Sequence, residues 1–314
     1  MPNALVVGHT GQDGYYLTEQ LAAKGVDVVG VSRSAIARNG QDRPLPPGAD
    51  LTSILADIVK EMRPGHIYYL AACHGSSQES GGEDGDLAAA SWETHVHQFD
   101  SLLKRVRASS PLSRVFYASS SRVFGSSGEG EFNEASPIRP RCVYGLTKAA
   151  GMQVARHFRE LYSMGVCCGT LFNHESPRRP PQYLSKRVVR GMLDVKAGRR
   201  EVLALGSLDA RADWGYAPDY TLAMQYMLDL PEPEDLVVAT GELHSVREFV
   251  QRVAERLGLD WTTAVVEEPG LLTRPAQGAR GDASRLASLT GWRPSVDFPG
   301  LVARLVDAAR DSGP

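Results

Sequence analysis

A glycine-rich turn near the start of the chain constrains the fold more than any other feature. The apolar run from Leu5 leads into Gly8-His-Thr-Gly11-Gln-Asp-Gly14, and a helical stretch follows to about Lys24. Glycines at this spacing allow a tight turn and a close approach of a pyrophosphate, which then rests on the helix N-terminus. An ordinary glycine-rich turn is the alternative, but the strand–turn–helix context favours a dinucleotide site. The predicted dinucleotide contacts in the turn are Gly8, Thr10, Gly11, Gln12, Asp13 and Gly14.

Short apolar runs alternate with helical stretches through the first half of the chain. Strands that are apolar along nearly their whole length, and that alternate with helices, are typical of a parallel sheet covered on both faces. The sequence therefore predicts an α/β fold of the Rossmann type, with a doubly wound parallel sheet. The predicted strands are Leu5–Gly8, Val28–Ser32, Ile67–Ala72, Arg114–Ser119 and Val166–Phe172, and the predicted helices cover about 11–24, 51–62, 88–106 and 143–162.

The pattern changes after Asn173, where prolines interrupt it and basic residues cluster. Further on, Ser245-Val-Arg-Glu248 is a capping box that opens a helix. We predict that residues 1–172 form the dinucleotide-binding domain, with a later strand and helix contribution from around 213–240. Residues 173–314 are predicted to form mainly a smaller C-terminal α/β lobe that binds the substrate.

The composition argues against several classes of function. The chain has 314 residues, 42% of them apolar, which is enough for a full core. A formal net charge of −3 gives no indication of a nucleic-acid or membrane-surface binder. The four cysteines lack a paired metal-binding spacing, and Cys167 and Cys168 suit small core positions. Since no apolar run is long enough for a membrane span and the start shows no signal-peptide pattern, a cytoplasmic protein without a metal site is predicted.

The end of the second predicted strand bears on the choice of cofactor. An NAD enzyme of this fold places Asp or Glu there to bind the ribose 2′-hydroxyl, whereas this chain has Gly30-Val-Ser-Arg33-Ser34. The Arg33 guanidinium can pair bidentately with a 2′-phosphate, and the Ser34 hydroxyl can donate to it. NADP is therefore predicted, with NAD as the less favoured alternative. Weaker assignments place the adenine edge beside Asp50 and Leu51, and the ribose and nicotinamide beside Leu70, Ala71 and Ala72.

Three side chains later in the sequence suit the removal of a hydride from a carbon that carries a hydroxyl. Ser120 ends a predicted strand, and Tyr144 and Lys148 lie four residues apart on one face of a predicted helix. Tyrosine at its usual pKa near 10 is too weakly ionised to accept the hydroxyl proton, but a lysine ammonium one turn away favours the phenolate. We predict Tyr144 as the base, Lys148 as its electrostatic partner, and Ser120 as the hydroxyl that orients the substrate oxygen. Tyr144 and Lys148 are also predicted cofactor contacts, Lys148 as a ribose ligand.

The chain resembles, over most of its length, the GDP-mannose 4,6-dehydratases of the extended short-chain dehydrogenase/reductase superfamily. The segments that carry the resemblance are Gly8–Gly14, Tyr144 with Lys148, Leu171–Arg179, Leu205-Gly206, Asp213-Trp-Gly215, Ala239-Thr-Gly241 and Ser245-Val-Arg247. The resemblance implies an NADP-dependent enzyme that modifies a nucleoside-diphosphate sugar, with a GDP-sugar favoured, and that forms a homodimer or homotetramer. It also implies that Asn173 contacts the substrate diphosphate or sugar, that Arg187 lies at a basic nucleotide-binding position, and that Arg274 approaches the phosphates.

Departures from the family pattern concern both the reaction and the substrate. The dehydratases carry Thr or Ser, a neutral residue and then Glu at the strand end, where this chain has Ser120, Ser121 and Arg122. The family glutamate removes the C5 proton and helps water leave from C6, which a guanidinium cannot do because it stays protonated. Arg211 lies one position earlier than the family arginine before Asp-Trp-Gly, and Gln277 replaces an acidic residue suited to guanine. The predicted substrate contacts are Ser121, Arg122, Asn173, Arg187, Arg211, Arg274 and Gln277.

Three hypotheses about the reaction follow. In the first, the chain oxidises C4 of a nucleotide sugar and still eliminates water, with an acid/base recruited from Glu175, His74 or Cys73. In the second, it reduces a 4-keto sugar or epimerises C4, which requires only the serine, tyrosine and lysine already described. In the third, it is a non-catalytic NADP-binding relative, which would have no need of an intact Tyr144 and Lys148.

Overall fold

Strands and helices alternate along most of the computed structural model, which describes residues 2–38, 41–45, 48–73, 85–125, 130–271 and 278–311. The strands are β1 (Asn3–Val7), β2 (Asp27–Val31), β3 (Ala35–Arg38), β4 (Gln41–Pro44), β5 (His66–Tyr69), β6 (Arg114–Ser120), β7 (Gly130–Phe132), β8 (Val166–Leu171), β9 (Asn173–Glu175), β10 (Leu203–Leu205), β11 (Arg211–Ala212), β12 (Trp214–Tyr216), β13 (Leu236–Val238), β14 (His244–Ser245), β15 (Val265–Glu267) and β16 (Ala279–Gly281). The helices are α1 (Gln12–Ala23), α2 (Leu51–Met62), α3 (Gly85–Trp92), α4 (Gln98–Ser109), α5 (Val143–Tyr162), α6 (Leu184–Lys196), α7 (Ala217–Asp229), α8 (Val246–Leu257), α9 (Trp261–Ala264), α10 (Ser284–Thr290) and α11 (Phe298–Asp311). A π-helical segment (Glu93–His97) joins α3 to α4, and Ser121–Phe124 and Pro269–Leu271 form 3₁₀ turns.

One large sheet organises the fold, with the strand order β13-β8-β6-β5-β1-β2-β3-β4. The strands from β13 to β2 are parallel to their neighbours, and β3 and β4 extend the sheet as an antiparallel hairpin. The strands that carry the predicted site lie in register, because Val7 at the end of β1 pairs with Tyr69 at the end of β5, and Tyr69 pairs with Tyr117, three residues before the end of β6. The predicted doubly wound α/β fold is therefore confirmed, and the residues after these three strands meet at one edge of the sheet.

Both faces of the sheet are covered by apolar packing. On one face, side chains of α2, α4 and α5 pack in a cluster that includes Leu55, Leu103 and Phe158. On the other face, α1 and α7 pack together and contribute Leu17 and Met224 to a second cluster. The strands between the two clusters are buried almost throughout, which explains why their sequences are nearly continuous apolar runs.

The structure differs from the sequence-based prediction in three places. The stretch predicted as one helix over about 88–106 is interrupted by the π-helical segment, where hydrogen bonds between residues five apart displace the side chains from regular helical spacing. The hairpin β3–β4 was not predicted, and β5 ends at Tyr69, so Leu70 to Ala72 follow the strand instead of ending it.

A third apolar cluster lies in the C-terminal part of the chain and is built mainly from α6, α8 and α11. Trp214, Phe249 and Phe298 pack together within it, with ring centroids 5.6–6.0 Å apart. The predicted capping box at the start of α8 is confirmed, since Ser245 and Glu248 cap each other's backbone amides. The chain also returns to the large sheet, because β13 is its edge strand and α7 lies on its face. In the described residues, no helix has the length and apolarity needed to cross a membrane.

Candidate active site

The glycine-rich turn after β1 lies against the backbone that follows β5. Gly8 has φ +96°, a conformation that favours glycine, and a Cβ atom there would lie 3.0 Å from the Leu70 carbonyl carbon and from the Ala71 nitrogen. At Gly14 a Cβ atom would lie 2.3 Å from the Gly8 oxygen, so α1 can approach the turn only with glycine at this position. Among the described residues no side chain caps the start of α1 at Gly11. The first backbone amides of α1 thus have no side-chain cap at Gly11, at the position where a dinucleotide pyrophosphate would bind.

Two side chains of the turn are already engaged by the segment that begins at Asn173. His174 Nε2 lies 3.0 Å from an Asp13 carboxylate oxygen, and its ring stacks on Tyr220. Gln12 donates to the His174 carbonyl at 3.1 Å and accepts from Ser176 Oγ at 2.7 Å. The side chains of Gln12 and Asp13 therefore hold the turn in place, which leaves the backbone of these two residues for the predicted cofactor contact.

Asp13 and His174 form a partly buried ion pair. Burial alone raises the pKa of Asp13, but the charge and hydrogen bond of His174 outweigh it, so the pKa is lowered. Burial likewise lowers the pKa of His174, and the opposing effect of Asp13 raises it above its ordinary value. Each group thus favours the charged form of the other, which ties the glycine turn to β9.

The predicted NADP-selective residues follow β2 directly beside the glycine turn. The Gly8 amide donates to the Val31 carbonyl at 2.7 Å, and Arg33 and Ser34 are exposed two and three residues further on. The Ser32 hydroxyl accepts from the Ser34 and Ala35 amides, which fixes the backbone of this turn. Arg33 and Ser34 are therefore held next to the turn with their side chains open to solvent.

Asp50 has a local role that its sequence position did not predict. It is the N-cap of α2, where its carboxylate accepts from the Thr52 amide at 3.0 Å and from Ser53 Oγ. These hydrogen bonds, of which the one from Ser53 has the largest effect, lower the pKa of Asp50. Leu51, the first residue of α2, is partly buried against the sheet cluster.

Ser120, Tyr144 and Lys148 come together at the carboxyl end of β6. Ser120 Oγ accepts from the Arg122 amide at 3.3 Å and is hydrogen-bonded to the Tyr144 hydroxyl. Lys148 is 1% exposed, and its ammonium donates to the Ala118 carbonyl at 2.8 Å and lies 5.8 Å from the Tyr144 ring centroid. Residues from β6 and from the first two turns of α5 thus form one cluster.

Close packing at the start of α5 sets the position of this cluster. Cys142 caps the helix, since its Sγ accepts from the Gly145 amide at 3.4 Å. A Cβ atom on Gly145 would lie 2.4 Å from the Arg122 carbonyl oxygen, so only glycine lets α5 approach the 3₁₀ turn this closely. Tyr144 is thereby placed within hydrogen-bonding reach of Ser120.

Burial governs the ionisation of the tyrosine and the lysine. Burial raises the pKa of Tyr144, while the Arg179 charge and the Ser120 hydrogen bond act in the opposite direction. Burial lowers the pKa of the Lys148 ammonium to about 7. Because the pKa of Lys148 is close to neutrality, a nearby negative charge such as a Tyr144 phenolate would favour its protonated form.

Arg122 lies next to this cluster but is arranged differently. Its side chain is exposed, and within the described part of the chain its guanidinium makes no hydrogen bond and no ion pair. Ser121, the preceding residue, is partly buried at the start of the 3₁₀ turn. A cation is therefore presented close to the position where the cluster would hold a substrate oxygen.

The alternative acid/base candidates can also be located. Glu175 is 5% exposed, pairs with Arg179 at 3.3 Å and accepts from Ser185 Oγ. These interactions occupy its carboxylate. The Cys73 amide donates to His95, and His74 lies outside the described residues.

His95 is a candidate functional residue that the sequence reasoning missed. It is fully buried in the π-helical segment, with Nδ1 2.7 Å from Thr147 Oγ1 and its ring edge-on to Tyr144 at 5.3 Å. Its Nε2 accepts the Cys73 amide proton at 3.0 Å, so the neutral ring donates through Nδ1 to Thr147. His95 thus fixes the chain after β5 against the helix that carries Tyr144 and Lys148. No periodic signal in the sequence marks it, because its partners are distant along the chain.

The predicted substrate contacts are less concentrated. Asn173 is exposed at the start of β9, next to the His174 that binds the glycine turn. Arg187 on α6 donates to the Ala204 carbonyl at 3.0 Å, and burial and Arg200 lower its pKa. Arg211 is exposed on β11. Arg274 and Gln277 lie outside the described residues.

A Rossmann sheet, a glycine turn and a Ser–Tyr–Lys cluster at one sheet edge together define an extended short-chain dehydrogenase/reductase. A family model for GDP-mannose 4,6 dehydratase matches residues 5–305 of the chain. The chain belongs to this family of nucleotide-sugar enzymes.

Similar proteins support the assignment. GDP-mannose 4,6 dehydratase 2 of Arabidopsis thaliana is 37% identical over 97% of this chain and 86% of its own length. A solved structure of UDP-glucose 4-epimerase from Thermus thermophilus, in complex with NAD, has a TM-score of 0.80 and 26% identity, over 98% of this chain and 99% of that one. RMD from Pseudomonas aeruginosa, complexed with NADPH, shares the fold with a TM-score of 0.82 at 21% identity, over 99% of this chain and 100% of that one.

Proposed function

We propose that this protein is an NADP-dependent enzyme that transfers a hydride at C4 of the sugar in a nucleoside-diphosphate sugar, with a GDP-sugar favoured. The observation that carries the proposal is the meeting of Ser120, Tyr144 and Lys148 at the sheet edge that also holds the glycine turn. A non-catalytic NADP-binding protein has no use for a buried lysine beside a partly buried tyrosine, because burying an ammonium costs free energy.

Each side chain of the cluster has one task in the proton transfer. Ser120 Oγ hydrogen-bonds the substrate oxygen, and the Tyr144 phenolate accepts the proton from the same oxygen as the carbonyl forms. The Lys148 ammonium, held by the Ala118 carbonyl, stabilises the phenolate. NADP, when bound, supplies the hydride acceptor. In the reverse direction the Tyr144 hydroxyl returns its proton to the carbonyl oxygen.

The cofactor choice rests on the turn after β2. Arg33 and Ser34 are exposed beside Gly8, and the described part of this turn offers no carboxylate for a ribose 2′-hydroxyl. A guanidinium at this position suits the 2′-phosphate of NADP. We propose that the pyrophosphate rests on the start of α1 and the 2′-phosphate on Arg33.

Arg122 makes delivery of a hydride to a C4 ketone the favoured last step, so that the net reaction is epimerisation at C4 or reduction of a 4-keto sugar. The usual elimination requires a carboxylate where Arg122 stands, and Glu175 is engaged by Arg179 and Ser185. A relative at 26% identity is a UDP-glucose 4-epimerase, which supports this alternative.

We further propose that the protein acts in the cytoplasm as a homodimer or homotetramer. Light scattering of the purified protein can measure the oligomeric state.

A substrate panel tests the proposal. Incubate the protein with NADP(H) and with GDP-, UDP-, CDP- and dTDP-sugars, and follow products by mass spectrometry and NADPH by absorbance. We expect C4 epimers of unchanged mass, or NADPH consumption with GDP-4-keto-6-deoxymannose. Efficient loss of water from GDP-mannose would contradict the proposed outcome, and cofactor binding without turnover of any sugar would contradict the enzymatic role.

A further inference from the structure

We propose that Arg122 binds a carboxylate on C6 of the substrate sugar, which makes nucleoside-diphosphate uronic acids the preferred substrate class. The inference rests on the proposed function, because it assumes that the sugar lies with its C4 oxygen at Tyr144. It identifies a feature of the substrate that the hydride chemistry alone leaves open.

The position of Arg122 follows from contacts of its backbone. Its amide donates to Ser120 Oγ at 3.3 Å, and its carbonyl packs against Gly145, the residue after Tyr144. The backbone of Arg122 is therefore held against Ser120 and against the first turn of α5, which carries Tyr144. Because C6 is attached to C5, the neighbour of C4, a long side chain at this point can reach a substituent on C6.

Within the described residues, no carboxylate neutralises the charge of Arg122. Phe124 of the same turn stacks on Phe132 at 5.1 Å, which brings the segment around β7 against it. The two acids in the described part of that segment have other partners, since Glu131 pairs with Arg280 at 2.8 Å and Glu134 accepts from the Val237 amide at 2.8 Å.

The segment with Arg139 and Arg141, which also packs on the 3₁₀ turn, adds further positive charge. Arg139 donates its amide to the Val123 carbonyl at 2.8 Å, and the Arg141 side chain runs past Gly125. Both are exposed, and in the described part of the chain no carboxylate pairs with either. As far as the structure describes it, the rim of the site beside Tyr144 therefore carries cations without counterions, which suits an anionic ligand group.

A uronic acid substrate would explain both why a glutamate base is absent at position 122 and why an arginine stands there. A sugar with a carboxylate at C6 has no C6 hydroxyl to eliminate, so a glutamate base would serve no purpose there. The carboxylate does require a counterion, and a guanidinium can bind it through two parallel hydrogen bonds. A 6-deoxy sugar would instead place a methyl group beside a cation. The single residue Arg122 thus removes the elimination base and supplies the recognition of C6.

Binding measurements with a matched pair of ligands test the inference without depending on turnover. Measure the dissociation constants of GDP-mannose and GDP-mannuronic acid in the presence of NADP, and repeat the comparison with UDP-glucose and UDP-glucuronic acid. For at least one pair we expect the acid to bind about 10- to 100-fold more tightly, the range of a charge-assisted hydrogen-bonded pair. Equal affinity within both pairs would overturn the inference.

Two variants locate the source of the preference. Arg122→Gln should remove most of it, while Arg105→Gln, a change of the same kind at an exposed position of α4, should keep most of it. A preference retained in Arg122→Gln would overturn the assignment to Arg122, and the wild-type comparison decides the inference even if that variant fails to fold. If wild-type protein turns over the neutral sugars and shows no preference for the acids, this inference fails while the proposed function stands. If the acids bind more tightly but no sugar is turned over, the proposed function fails instead.

Discussion

The side chains of Ser120, Tyr144 and Lys148 are fixed by hydrogen bonds within the protein, whereas the side chain of the adjoining Arg122 is not. Lys148 is 1% exposed and is hydrogen-bonded to a backbone carbonyl, and the Ser120 and Tyr144 hydroxyls are bonded to each other. Arg122 is exposed and without a partner among the described residues. Groups that must be placed for hydride and proton transfer are thus fixed before substrate arrives. A side chain without such bonds, like that of Arg122, is suited to binding part of the substrate. It can also be substituted without disturbing the fixed cluster.

The largest effect is expected from Tyr144→Phe. This change removes the atom of the cluster that accepts the substrate proton, so turnover should fall by about 10²–10⁴-fold, the usual contribution of a general base. Steady-state rates with the active sugar of the panel give the measurement. NADPH binding should stay within a few-fold of wild type because the ring remains.

The matched control for that change is Tyr162→Phe, at the other end of α5. Tyr162 is 42% exposed and distant in sequence from the cluster, so the same loss of a hydroxyl should leave the rate unchanged. Turnover retained by Tyr144→Phe would remove this tyrosine from its proposed role.

The next effect concerns Arg122→Glu, which replaces the exposed side chain beside the cluster and leaves the fixed cluster intact. The new carboxylate would stand where the resemblance to the dehydratases implies an elimination base, so we expect dehydration of GDP-mannose to rise at least about tenfold above wild type, toward the 10²–10⁴-fold contribution of a positioned acid/base. Mass spectrometry detects the 4-keto-6-deoxy product through its loss of water. Arg122→Gln, which adds no base, is the control and should show no such gain. If both variants dehydrate equally, or neither does, the absence of elimination has a cause other than Arg122.

The fixed cluster could be predicted from sequence, because each part depends on local periodicity. A strand end supplies Ser120, and the four-residue spacing on α5 puts Tyr144 and Lys148 on one face. The glycine turn and the capping box of α8 are likewise local signals that the structure reproduces. What local patterns encode is therefore well predicted.

Features that depend on contacts between distant segments were not predicted. His95 joins Thr147 and Cys73 from elsewhere in the chain, and a π-helical segment leaves no mark in apolar periodicity. The ion pair of Asp13 with His174 has the same origin. The hairpin β3–β4 did have a local signal, since Asn39-Gly40 between the two strands is a dipeptide typical of hairpin turns.

The last effect separates the buried lysine from an ordinary surface lysine through the pH dependence of the free energy of unfolding. The pKa of Lys148 falls from 10.5 to about 7 on folding, so between these pH values the unfolded chain binds more protons than the folded one. The free energy of unfolding should therefore rise with pH across this window, by up to about 1.4 kcal/mol per pH unit from this group, and the contribution should level off below pH 7. Denaturant unfolding at several pH values, without added NADP, measures the slope. Lys148→Met should remove this part of the slope, whereas Lys60→Met, which changes an exposed lysine of α2, should leave it unchanged. An equal slope in wild type and Lys148→Met would show that the lysine does not change its protonation on folding. The contrast between the buried Lys148 and the exposed Arg122 would then rest on geometry alone.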